Sequence, residues 1–346
     1  MGLFFAQMRQ FFRLLKRENI PRLLLLTVFS IIIGTLGLWL FERAYNSNVT
    51  SLLDAIWWSF VTVTTVGYGD ISPITLGGRI TAVIVMLLGI GFLGMFTATI
   101  ASVFVEHKLK EERGLKKVNI TNHTILCGWN HRAEAVFQEI RSDKVLQDTK
   151  IVLIADIDAK PLDDDSFFFV KGDVTEENLR RANLEKAKNV IIVADDRLDP
   201  RSRDAKTILN TLTVESINPN VYTCVEIEDA SNANYCRRAK ADEIIISGEF
   251  SSKMLALAAL HHGISKLIDE LLSSRYGSNL YKYKVPASFV GQKFIDIFLK
   301  AKSDYNCTIV AIESESEKIF ISNPPADYQI KPDDFLIIIA SQKPEF

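Results

Sequence analysis

Up to about Val105 this chain is apolar and almost free of acidic residues. Leu23–Phe41 (LLLLTVFSIIIGTLGLWLF) and Ile80–Val105 (ITAVIVMLLGIGFLGMFTATIASVFV) contain no charged residue. Runs of this length and purity exclude ordinary solvated helices, and each is long enough to cross the ~30 Å hydrocarbon core of a bilayer. Cysteine is scarce too: Cys127, Cys224, Cys236 and Cys307 all lie beyond the apolar runs and lack metal-ligand spacing. That excludes a disulfide scaffold and a zinc module, and suits small buried hydrophobes in a reducing cytosol. The five histidines (His107, His123, His131, His261, His262) form no cluster in sequence, and no catalytic set stands out, so the chain reads as a non-enzyme. A net charge of −2 gives no footprint for a nucleic acid partner. Nothing resembles a cleavable signal, because the first apolar run has no small-residue cleavage site before polar sequence.

What charge there is flanks the runs. Arg9, Arg13, Lys16, Arg17 and Arg22 precede the first; Lys108, Lys110, Arg113, Lys116 and Lys117 follow the second; Arg43 and Arg79 are the main bases between. The positive-inside rule then predicts a multi-pass protein of the cell membrane with both ends cytoplasmic. Between the spans lies SLLDAIWWSFVTVTTVGYGDISP. Its first half, Ser51 to about Thr64, predicts a short helix that enters the membrane without crossing it. The glycine-flanked Thr65-Val66-Gly67-Tyr68-Gly69 cannot face lipid, since non-helical backbone survives at that depth only when protein buries it or water lines it. Gly67 and Gly69 permit backbone angles that a side chain forbids, and Trp57, Trp58 and Tyr68 supply aromatic bulk.

TVGYG resembles the potassium-channel filter signature, within the wider likeness of WWSFVTVTTVGYGD and the two-span layout. The resemblance implies a homotetrameric pore in which the carbonyls of Thr65, Val66, Gly67 and Tyr68, with the Thr65 hydroxyl, replace the hydration shell of K⁺. Val61 stands where some family members have a glutamate, so inactivation behaviour does not carry over. In the second span Gly89, Gly91 and Gly94 suit either close helix packing or a hinge, since glycine weakens a helix by about 1 kcal/mol. Resemblance favours Gly89 or Gly91 as the hinge.

After the charged linker EHKLKEERGLKKVN come short β-branched and aromatic runs: His123–Trp129, Lys150–Asp156, Phe167–Asp173, Asn189–Asp195, Val221–Ile227 and Asp242–Ser247. Helical stretches separate most of them, which predicts a doubly wound parallel α/β sheet. A helical crossover and a small α+β unit follow. The chain thus divides into a cytoplasmic N-terminus (1–22), a pore domain (23–105; spans 23–41 and 80–105, pore helix and filter 51–70), a linker (106–121), a Rossmann-like subdomain (122–248), a crossover (249–279) and a C-terminal subdomain (280–346).

A dinucleotide fingerprint in the first βα turn wants a second glycine where Asn130 stands; Gly128 and an acceptable Ala133 remain. Asp156 ends the second strand, where an acid could hold a ribose. The expectation is a retained fold without NAD binding.

ILCGW, KGDVTEENLRRANLEKAKNVII, VEIEDASNANYCRRAKADEII and NPPADYQIKPDDFLIII together resemble a regulator-of-potassium-conductance (RCK) domain. The nearest likeness is to prokaryotic calcium-gated potassium channels with one such domain per subunit. The resemblance implies a ring of eight domains whose expansion pulls the inner helices apart, four of them made separately from an internal methionine. This chain has no methionine between Met95 and Met254. Glu226 and Glu228 flank Ile227 and so point to one face, while Asp195 lies at the carboxyl end of the preceding run. In the resembled channels an Asp and two Glu at matching places bind the activating Ca²⁺, with Asp196 the alternative third acid here. Asp163-Asp164-Asp165 reads as an exposed loop. Two other readings stand beside this one: a potassium channel whose RCK domain binds a nucleotide or only scaffolds, and a membrane-anchored nucleotide-dependent oxidoreductase.

Overall fold

The computed structural model describes residues 20–143, 146–316 and 319–344; the basic leader residues Arg9, Arg13, Lys16 and Arg17 lie outside them. The chain forms two compact units, Met1–Lys110 and Glu111–Phe346.

The first unit holds α1 (Ile20–Glu42), α2 (Leu52–Val63) and all but the last two residues of α3 (Leu76–Glu112). The helices α1 and α3 are each apolar and long enough to cross a membrane. Ser51 starts α2 through a capping box: its hydroxyl accepts the Asp54 N–H, and the Asp54 carboxylate accepts the Ser51 N–H at 2.7 Å. Small residues let the helices approach. A Cβ on Gly34 of α1 would lie 2.7 Å from the Ser59 hydroxyl of α2.

One acid is sealed into this apolar unit. Glu42, fully buried at the end of α1, accepts the Ile74 N–H (2.9 Å), the Thr75 N–H (2.8 Å), the Thr75 hydroxyl (2.6 Å) and the Asn46 amide (3.0 Å). Asn46 donates in turn to the Ser72 carbonyl at 2.9 Å. Four accepted bonds satisfy the carboxylate and tie the end of α1 to the segment that leads into α3.

The second unit opens with β1 (His123–Cys127), α4 (His131–Ser142), β2 (Ile151–Ala155), β3 (Phe167–Lys171), α5 (Glu176–Arg181), β4 (Ala187–Ile192), α6 (Pro200–Ile217), β5 (Tyr222–Ile227), α7 (Ala233–Arg238) and β6 (Glu243–Ile246). All six strands are parallel, in the order β3-β2-β1-β4-β5-β6, the doubly wound arrangement. β1 and β2 are buried at every residue, as strands covered on both faces must be. Most of the strands stop one to three residues short of their expected ends, β4 at Ile192 by the most. Gly128 and Gly172 turn the chain out of β1 and β3 with φ of +93° and +122°. The four cysteines carry free thiols, three buried and Cys224 half-buried; burial pushes the Cys127 thiol up to about 12.

The crossover is α8 (Ser247–Leu260) and α9 (Ile264–Leu272). Beyond it, β7 (Asn279–Lys284), α10 (Phe294–Tyr305), β8 (Thr308–Ser314), β9 (Ile319–Ser322) and β10 (Asp334–Ala340) make an antiparallel sheet in the order β7-β10-β8-β9. Its own core gathers Phe289, Ile297, Ile312, Leu336 and Ile338. The run 106–121, read from sequence as a linker, is helical through Glu112.

Candidate functional site

Two places combine irregular backbone with converging polar groups: the segment after α2, and the carboxyl edge of the parallel sheet.

After α2 the backbone changes hand at alternate residues. Thr65, Gly67 and Gly69 have φ of +63°, +58° and +76°, whereas Val66 and Tyr68 stay on the ordinary side. In a plain strand successive carbonyls point opposite ways; left-handed residues at every second position swing them to one side. The hand is costly for a β-branched threonine and free for glycine. The Val61 carbonyl accepts the N–H groups of Val66 (3.0 Å) and Gly67 (3.4 Å), which turns the amide side of the strand back onto α2. Behind it the Trp57 indole donates to Asp70 at 2.8 Å and stacks on Tyr68, with ring centroids 5.9 Å apart and planes 6° from parallel. Val66 and Tyr68 remain 53% and 68% exposed, so one copy of the chain does not enclose an ion.

The three glycines of α3 differ. A Cβ on Gly89 would lie 2.9 Å from the Val63 carbonyl oxygen, so Gly89 lets α3 touch the end of α2; nothing lies within 4 Å of a Cβ on Gly91 or Gly94.

At the sheet edge, Asn130 is the N-cap of α4. Its side-chain oxygen accepts the Arg132 and Ala133 N–H groups, each at 3.0 Å, and its amide donates to the Ala194 carbonyl and Asp196, each at 2.9 Å. The amides that would meet a pyrophosphate in a dinucleotide site are therefore already satisfied within the chain. Beside them is a cavity of about 90 Å³ lined by Gly128, Asp156, Gly172, Asp195, Arg197 and Lys206, well below the ~300 Å³ at which small-molecule pockets begin.

Bases run through this edge. Asp195 accepts from Arg197 at 2.9 Å on both oxygens and from Lys206 at 3.0 Å. The Arg197 hydrogen bonds, with Lys206 behind them, hold its carboxyl well below the usual carboxylate range against the opposing effect of burial. Glu226 accepts the Ala194 N–H at 3.0 Å and pairs with Arg132 at 3.1 Å. Glu228 pairs with Arg203 at 2.6 Å, and Asp196 with Arg132 at 2.5 Å.

The ion-channel family profile matches residues 24–106, and the profile described as the calcium-activated potassium channel slowpoke-like RCK domain matches residues 119–225. The calcium-gated potassium channel TvoK of Thermoplasma volcanium is 30% identical over 92% of this chain and 90% of its own. The chain belongs to the potassium channels that carry an RCK domain. Potassium channel protein 1 of Methanocaldococcus jannaschii is 26% identical over 93% of this chain and 92% of that one. The human SLO3 gating ring matches with a TM-score of 0.51 at 18% identity, covering 64% of this chain and 44% of that structure, a likeness of fold.

In this channel the three acids expected at a cation site are not gathered into one. Each meets a base of its own, and among the described residues no group of three or more His, Cys, Asp or Glu side chains could hold a metal. Arg132, Arg203, Arg197 and Lys206 were absent from the sequence reading of the site, because alternation along a strand reports which face a side chain takes and nothing of what stands opposite. Asp204 was absent too. Fully buried on α6, it accepts the Glu228 N–H (2.9 Å), the Asp229 N–H (3.0 Å) and the Asn232 amide (2.8 Å), and so positions the backbone that carries Glu228. A faint signal existed: Asp199-Pro200 reads as an N-cap followed by a first-turn proline, which puts Asp204 one turn into a helix at the ligand edge of the sheet. Asp163 and Asp165 lie in the loop before β3, while Asp164 pairs with Arg141 at 2.9 Å.

Proposed function

We propose that the chain is the pore subunit of a K⁺-selective channel, with Thr65–Gly69 as its filter. The alternating hand of residues 65–69 carries the reading, because it turns a row of carbonyls to one side without any charged side chain. The exposure of Val66 and Tyr68 supports assembly of several copies, four by the family pattern, around a shared axis. Both chain ends are cytoplasmic by the charge pattern, in the cell membrane, and further RCK domains completing an eight-membered ring belong to the same reading. In a K⁺/Na⁺ gradient the reversal potential of the reconstituted protein should lie near the potassium equilibrium value, and a value near zero would defeat the assignment. Replacing Gly67 with a bulky residue such as valine should abolish selective conduction, since φ of +58° is costly for a side chain and a second such cost would be added to that of Thr65.

The cytoplasmic unit gates the pore by binding a ligand at the carboxyl edge of its sheet, in the reading we favour, and the ligand is Ca²⁺. The name of one relative, TvoK, and the description of the slowpoke-like RCK family support it, as does the oxygen-only character of Asp195, Glu226 and Glu228. As they stand these carboxylates do not form a Ca²⁺ shell, so the proposal requires that the ion compete with Arg197 and Lys206 at Asp195, with Arg132 at Glu226 and with Arg203 at Glu228. Cytoplasmic Ca²⁺ should raise open probability steeply in wild type, and Glu226→Gln with Glu228→Gln should remove most of that response while selectivity stays. An unchanged calcium dose response in the double variant would refute the site. The small cavity, the Asn130 cap and the Arg197 side chain across Asp195 support the absence of tight NAD binding and of an oxidoreductase activity. Gly91, with open space around it, is the better hinge of the pair.

A further inference from the structure

The ion pairs at the carboxyl edge of the parallel sheet are not separate. Arg132, on the first turn of α4, reaches two acids: its Nη2 donates to Asp196 at 2.5 Å, and its Nε lies 3.1 Å from Glu226. Arg203, on the first turn of α6, does the same from the other side. It donates to Glu228 at 2.6 Å and has Asp196 at 3.8 Å. Both guanidiniums face the same Asp196 oxygen, Oδ1. The order Glu226–Arg132–Asp196–Arg203–Glu228 therefore alternates in sign from end to end. Its centre is fixed by the Asn130 amide, which donates to the other Asp196 oxygen at 2.9 Å.

The two bases are also anchored independently of their acids. Arg132 donates to the Ala194 carbonyl at 3.3 Å and Arg203 to the Leu198 carbonyl at 3.2 Å, which holds each guanidinium over the loop that follows β4. Their grip on the acids is incomplete. The Nε of each arginine is buried without a hydrogen-bond partner among the described residues, a cost that a turn of the guanidinium would relieve. Glu226 touches Arg132 Nε without accepting its hydrogen, and its other oxygen is already served by the Ala194 N–H.

A monovalent ion entering this edge would offer a carboxylate no more charge than the guanidinium it displaces. It would also lack the tether that keeps the guanidinium at high local concentration. A divalent ion doubles the Coulomb attraction to each oxygen. We propose that Arg132 and Arg203, linked through Asp196, are tethered cations that fill the ligand site of the second unit when no ion is bound, so that only an ion of higher charge takes Glu226 and Glu228 from them. Asp196 is then a positioning residue, the acid that keeps the guanidiniums once the two glutamates are given up. This rests on the reading of the sheet edge as a Ca²⁺ site.

The test uses the purified full-length channel, with Ca²⁺ as the probe and calorimetry as the readout. Arg132→Gln with Arg203→Gln should tighten Ca²⁺ binding about tenfold, and Arg203→Gln alone about threefold, the worth of two such pairs and of one. Unchanged or weaker binding in the variants that fold would overturn the proposal. A second measurement needs no Ca²⁺. In chelator, melting is followed at Trp129 in a channel with phenylalanine at Trp39, Trp57 and Trp58. Asp196→Asn should lower the transition by about 2–4 °C when both arginines are present. In the background without them the same change should raise it, because one of three repelling carboxylates has gone. A loss of similar size in both backgrounds would show that Asp196 does not join the arginines, and would overturn the chain. Ca²⁺ binding to the arginine-free variant but not to wild type would leave the tethered cations standing and defeat Ca²⁺ as the wild-type ligand; binding to neither would overturn both.

Discussion

Asp204→Asn tests how far the sheet edge depends on one buried carboxylate. The substitution keeps shape and volume but turns one acceptor oxygen into an amino group. Asp204 takes the Glu228 N–H on one oxygen and the Asp229 N–H and the Asn232 amide on the other. In its best orientation the asparagine keeps the second pair and presents its amino group to the Glu228 N–H. Losing one charge-assisted hydrogen bond costs roughly 1.5–3 kcal/mol, and leaving a buried N–H unpaired costs roughly a further 1–3 kcal/mol. Relief from burying an anion offsets part of this, for a net loss of about 3 kcal/mol. At about 2–4 °C per kcal/mol for a unit of this size, the melting temperature should fall by roughly 6–12 °C. Trp129 is the only tryptophan of the second unit; Trp39, Trp57 and Trp58 belong to the first. Its fluorescence, read in a variant carrying phenylalanine at those three positions, follows the relevant transition in the full channel. A shift below about 2 °C would refute the reasoning, since it would mean the Glu228 and Asp229 amides are as well served by water. Asp204→Ala should shift the transition further.

Glu42→Gln in the membrane unit sets an amino group against two of the four donors and should cost roughly 2–4 kcal/mol; heat denaturation of the purified channel should show its Trp57- and Trp58-reported transition lowered with the Trp129-reported one unmoved. Gly89→Ala should perturb filter selectivity, because its Cβ meets the Val63 carbonyl, whereas Gly91→Ala should spare selectivity and lower open probability by stiffening α3 by about 1 kcal/mol; single-channel recording separates the two outcomes, and the reverse pattern would refute the assignment. His123 is fully buried, and burial lowers its pKa below the ordinary 6.5 despite a bond between Nε2 and the Ala182 carbonyl at 3.0 Å. The unfolded chain therefore binds the extra proton first, so stability of the second unit should hold above about pH 6.5 and decline below it; His123→Gln should flatten that decline in a pH series of Trp129-monitored melts.

Much of the architecture was legible in the chain because it depends on local period and on what a membrane forbids. Two uncharged runs can satisfy their backbone in lipid only as helices, and TVGYG between them cannot be helix or lipid-facing loop; no tertiary information enters that argument. Short β-branched runs alternating with helical stretches specify a parallel sheet, since each strand must be covered on both faces. The same local logic placed Glu226 and Glu228 on one side of β5. It could not reach across the edge. Whether an acid there faces water, a cation or an arginine depends on α4 and α6, whose Arg132 and Arg203 are distant in sequence. The tertiary structure decided that each acid has its own base, that Asn130 caps α4 where a phosphate would otherwise sit, and that Gly89 is a packing glycine while Gly91 stands free. It also decided what 106–121 does. By composition that run is a charged linker, yet helix continues through Glu112, and left-handed Gly114 then brings the backbone against β3 and Arg181, a fit that depends on close approach between segments far apart in the chain.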